Sequence, residues 1–156
     1  MHIKGGIFNI ESEKQIHTAY NEAGHTIAYF HFDIPIISVT IICDNEGHNG
    51  LVIPEERDGI KIETLIMISL AGPMAEKIHL GSAGPGSLGD RFVASKYYIS
   101  MQEMTELETQ IEDILKQPQY YNATKILVTE LLKKPSLTGN EAFLIIETAI
   151  REHDLS

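Results

Sequence analysis

The sequence predicts a mainly α domain with a small β hairpin or sheet near residues 36–53. Three observations carry this expectation. Apolar residues recur at three- and four-residue spacing through most of the chain, as a helix with one buried face requires. β-branched residues concentrate in one short run, residues 36–42 (IISVTII). Prolines and a glycine-rich stretch cut the periodic segments into pieces of helix length. With 156 residues, 43% of them hydrophobic and 22% charged, the natural reading is a single domain over residues 1–156.

Residues 1–10, with Gly5 and Gly6, read as a loosely held lead-in. Residues 11–31 read as the first helix, on the spacing of Ile16, Ala19, Ala23, Ile27 and Phe30. His17, Asn21 and His25 then share one stripe of it. Gly24 lowers helix propensity by about 1 kcal/mol relative to Ala, and such a glycine often marks close approach by another backbone. Pro35 closes this region. Residues 36–42 form a strand, residues 44–50 a turn, and residues 51–53 a return strand ended by Pro54. Residues 59–80 read as a helix with a broad apolar face that Pro73 kinks or splits. Residues 81–89 are a glycine-rich loop, and Asp90 opens a helix that runs to about Met104. Helix continues over residues 105–134, with a break at Pro118 between two apolar stripes. Pro135 ends it. Residues 138–141 (TGNE) start the last helix, through residue 152.

Composition narrows the function. A formal charge of −10 argues against non-specific nucleic-acid binding, which needs clustered Lys and Arg. No apolar run reaches the roughly 18 residues of a spanning helix, so no membrane segment is expected. No basic segment followed by an apolar run opens the chain, so no signal peptide is expected. The single cysteine, Cys43, rules out an internal disulfide and fits a reducing compartment, so the expected location is cytoplasmic. Beside a strand end, Cys43 reads as a buried small hydrophobe. The acidic run from Glu103 to Glu112 reads as a solvated helix face.

The chemistry concentrates in Asn21-Glu22-Ala23-Gly24-His25. This is one letter from H-E-x-x-H, in which two imidazoles one turn apart hold zinc and the glutamate activates a water. A catalytic zinc takes three protein ligands, so one more must come from elsewhere. Asp90, after the glycine-rich loop, is the first candidate, and Glu76 the second. Asn21 offers only a neutral amide oxygen, a poor zinc donor beside imidazole or thiolate. His17 lies roughly 12 Å from His25 along the axis at 1.5 Å per residue, too far to share one metal with it. His48 or His79 could approach in space. Oxygen donors from Asn21, Asp90 and Glu76 would suit a harder cation.

The chain resembles the peptidase domain of the FtsH-type ATP-dependent zinc proteases. N-E-A-G-H stands at Asn21 to His25, where that family has H-E-A-G-H. A-G-P-M-A-E-K-I at Ala71 to Ile78 is similar to its G-G-R-A-A-E-E-I. G-S-A-G-P-G-S-L-G-D at Gly81 to Asp90 takes the place of its G-x-x-T-T-G-A-S-N-D. The V-T-I-I run at Val39 to Ile42, Pro54-Glu55-Glu56 and L-T-G-N-E at Leu137 to Glu141 also have counterparts. The resemblance implies that His25 and Asp90 are zinc ligands, that Asn21 holds a ligand's position, that Glu22 is the catalytic base and that Glu76 supports the site. It implies peptide or unfolded-protein substrates and assembly into homo-oligomers. Two departures stand out: Asn21 itself, and the lack of any G-x-x-x-x-G-K-[ST] for an ATPase module. Two functions follow as expectations. One is a zinc metallopeptidase domain whose degenerate motif impairs or abolishes hydrolysis. The other is a pseudopeptidase that binds peptides or a protein partner without cleaving them.

Overall fold

The computed structural model describes residues 2–44, 49–84, 96 and 99–156, with side chains from residue 12 onward. It is mainly helical with one three-stranded antiparallel sheet, as expected. In chain order the described elements are α1 (His2–His31), β1 (Ile36–Thr40), β2 (Leu51–Pro54), α2 (Ile62–Leu80), α3 (Met101–Lys116), α4 (Pro118–Lys133), β3 (Ser136–Thr138) and α5 (Gly139–Asp154). The sheet order is β2-β1-β3.

Helix α1 is the shaft of the fold. Ala19, Ala23, Ile27 and Ala28 are fully buried along it, and it packs on α2 and α4. Residues 2–10 belong to this helix rather than to a lead-in. A formed helix extends at small cost per residue, and Gly5 and Gly6 weaken propagation without the steric block that a proline imposes. Gly24 is where α1 meets α2. A Cβ there would collide with the Ala71 carbonyl oxygen and lie 2.6 Å from the Ala75 Cβ. The expectation of close backbone approach is met.

Helix α2 runs unbroken through Pro73. The proline removes one backbone donor, but it is buried in a run that extends from Ile66 to Glu76 with few interruptions. Burying each large apolar side chain stabilises by about 1.5–3 kcal/mol, which offsets the roughly 3 kcal/mol proline cost. Gly81 caps its C-terminus at φ 86°, and its N–H donates to the Lys77 carbonyl. A continuous helix into residue 104 is not what the chain forms. Lys96 is in a turn, Ile99 and Ser100 are non-helical, and α3 starts afresh. The reason is Ser100, whose hydroxyl accepts the Glu103 N–H at 3.1 Å. The expected start at Asp90 lies outside the described residues. The break at Pro118 is as expected: Gln117 separates α3 from α4, and the proline sits at the first turn of α4.

Strand β1 ends at Thr40, two residues early. The Thr40 hydroxyl accepts the Ile42 N–H at 3.2 Å and so replaces the ladder. Cys43 is exposed, a correction to its reading as buried; it lies beyond the end of β1 at Thr40. Thr138 and Glu141 form a full capping box at the start of α5. Strand β3, just before it, has no counterpart in the sequence reading. Among the described residues, no helix is long and apolar enough to cross a membrane.

Candidate functional site

The site lies along the seam between α1 and α2. On α1 the stripe is His17, Asn21 and His25; on α2 it is Ile68, Gly72 and Glu76. Both advance four residues per step, and the helices run in opposite senses, so the stripes meet in three rungs.

At the first rung the His25 Nδ1–H donates to the Ile68 carbonyl at 2.7 Å. A carbonyl can only accept, so Nδ1 carries a proton, and in the neutral ring the lone pair is then on Nε2. Metal-binding histidines are commonly oriented in this way. At the second rung, Nε2 lies against Gly72. A Cβ on Gly72 would collide with it and would stand 2.9 Å from the Asn21 Cγ. The amide of Asn21 and the imidazole of His25 therefore converge on one glycine. At the third rung the His17 Nδ1 lies 3.4 Å from the Glu76 Oε2. The same Glu76 oxygen accepts the Gly84 N–H, which ties the start of the glycine-rich loop to α2.

Burial separates these groups. Asn21 is 8% exposed, Glu22 7% and Glu76 3%, while His17 and His25 are half-buried. Glu22 lies beneath the start of β2: a Cβ on Gly50 would stand 2.7 Å from the Glu22 Cγ and 3.0 Å from the Thr18 Cγ2. The motif glutamate thus faces the sheet, and the motif's Asn21 and His25 face α2.

The structure brings Asn21, His25 and Glu76 into one seam and puts Glu22 beside β2. Asp90, the first candidate for a third ligand, lies outside the described residues, as does His48. Among the described residues, no three His, Cys, Asp or Glu side chains gather where they could hold one metal ion. The described donors at the motif are one imidazole and one carboxamide. Zinc needs stronger donors than that pair supplies, so this described set does not fit a catalytic zinc.

His79 takes no part in the site. Its ring stacks between Tyr20 (centroids 4.8 Å apart) and Tyr121 (4.4 Å), which joins α1, α2 and α4. Burial, and secondarily the Lys125 charge, push its pKa down from 6.5 to about 4. Sequence reasoning missed the pairing of His17 with Glu76. The signal was there: Gly24 predicts close helix contact, and the four-residue spacing of Gly72 and Glu76 repeats that of Asn21 and His17.

Compared with known proteins, the chain matches no family model and no curated protein.

Proposed function

We propose that this protein is an FtsH-like peptidase domain turned into a polypeptide-binding module, without effective hydrolysis. The observation that carries the reading is the second rung. Asn21 and His25 converge on Gly72, and one of the two is a weak donor. The remaining frame supports descent from a working site. His25 is held by Ile68 in the orientation a ligand would need, and Glu22 remains at the motif's glutamate position, three residues before it. Losing one of three ligands should weaken zinc more than disturbing a supporting contact, which already costs about 10–100-fold.

A binding surface adjoins the site. Strand β2 is an edge of the sheet, and no described strand pairs with its outer side. Leu51 and Ile53 stand 38% and 41% exposed on it. Natural edge strands usually carry charge or are covered, because an open apolar edge recruits another strand. An extended polypeptide added there would run past Gly50, the residue that stands against Glu22.

Metal analysis and proteolysis test the proposal. Protein purified without chelator is expected to hold no stoichiometric zinc and to leave unfolded casein intact when zinc is added. Asn21→His is expected to raise zinc affinity at least 10-fold. Zinc-dependent casein cleavage by the unaltered protein would overturn the reading.

A further inference from the structure

The polypeptide that adds to β2 is marked by charge. Five carboxylates, Asp33, Asp44, Glu55, Glu56 and Asp58, are exposed along the three connections that lead into, between and out of β1 and β2. Two bases stand among them, Arg57 and Lys61; Arg57 donates Nη1–H to the Asp33 carbonyl at 2.6 Å and so is held toward that loop. Among the described residues these connections therefore carry a formal charge of −3, five carboxylates against Arg57 and Lys61, beside one short sheet.

The sheet itself supplies the apolar half of the pattern. Val39, buried, pairs with Val52, which fixes the inner face. Leu51 pairs with Thr40 and Ile53 with Ser38, so Leu51 and Ile53 share the outer face. That face turns from apolar at the β2 edge to hydroxyl-lined at β3, where Ser136 and Thr138 pair with Thr40 and Ser38. A strand added to β2 continues the apolar part. Its own residues at alternate positions would cover Leu51 and Ile53.

We propose that β2 accepts an extended polypeptide segment that is apolar at alternate positions and carries Lys or Arg between or beside them. This rests on the reading of the protein as a binding module. Backbone hydrogen bonds and the two apolar contacts supply binding, and the carboxylate rim supplies selection and faster encounter. At physiological salt the screening length is about 8 Å, so the rim acts on charges close to the strand. Acidic segments are repelled by the same field, and nucleic acids with them.

The test uses fluorescence anisotropy with three labelled synthetic peptides. All share the same Val and Leu at alternate positions, and the intervening positions are Lys, Ser or Glu. The Lys peptide is expected to bind at least 5-fold tighter than the Ser peptide, and the Glu peptide weakest. The differences should collapse near about 0.5 M salt, where screening shortens to a few ångströms. Glu55→Lys with Glu56→Lys should reverse the order, and Leu51→Ser with Ile53→Ser should weaken all three. All four positions are exposed, so these variants are expected to fold, and circular dichroism checks that they do. Binding without any order by charge overturns this inference and leaves the binding module standing. Binding of none of the peptides overturns both.

Discussion

At the scale of single residues, the seam between the two helices is decided by Gly72. Its hydrogen leaves room for two side chains, Asn21 and His25, that a methyl group would displace. Gly72→Ala is expected to destabilise by about 1–3 kcal/mol, the usual cost of overpacking, read as a shift of the urea midpoint. It should also disturb the His25 imidazole resonances in an NMR spectrum, because Nε2 has to move. The motif residues Asn21, Glu22 and His25 were legible in the sequence because their spacing is local. The contact of His17 with Glu76 was signalled only indirectly, through Gly24 and the matching four-residue spacings, since it joins residues far apart in the chain and depends on how two helices lie together. Cys43 failed for a related reason. The two residues before it are apolar in sequence, but Thr40 ends the strand and Ile42 and Cys43 are already exposed.

Elements were legible where their ends carry local chemistry. Thr138 and Glu141 announce α5, and Pro118 announces α4. Ser100 with Glu103 is the same kind of signal and marks α3, although the periodic apolar pattern across it concealed the break. Thr138→Ala removes the cap and is expected to lower stability by about 1 kcal/mol, with the loss visible in thermal melts. Strand β3 has only three residues, too few to show alternation, so nothing in the local sequence separates it from a connection. Gly24 shows how a tertiary contact overrides propensity. Gly24→Ala would gain about 1 kcal/mol in an isolated helix. Here its methyl meets the Ala71 carbonyl and the Ala75 side chain, which α2 cannot withdraw without separating from α1. A net loss of stability in urea titration is expected, and a net gain would show that the two helices are less closely held than described.

For the whole molecule, the stack of Tyr20, His79 and Tyr121 links stability to pH. The folded protein keeps His79 neutral down to about pH 4, whereas an unfolded imidazole takes its proton near 6.5. Between these values the unfolded chain binds more protons, so acid favours unfolding. The contribution of His79 is fully present above pH 6.5 and is lost as the pH falls toward 4. His31 shifts in the same direction, chiefly through burial. The urea midpoint is expected to fall between neutral pH and about pH 5, near the middle of this window. His79→Phe keeps an aromatic ring in the stack and should flatten that fall. An unchanged slope would place the proton uptake elsewhere.

Strand β3 has a consequence in time. It pairs Leu137 with Val39, about a hundred residues earlier in the chain. At synthesis rates of about 5–20 residues per second, β1 and β2 precede their third strand by roughly 5–20 s. A two-stranded hairpin is marginal alone in water. Throughout that interval the ribosome-bound chain presents the isoleucine-rich β1 with one side open, an unpaired edge of the kind that recruits other strands. The last-made part of the sheet, rather than the motif helix, sets when that edge closes.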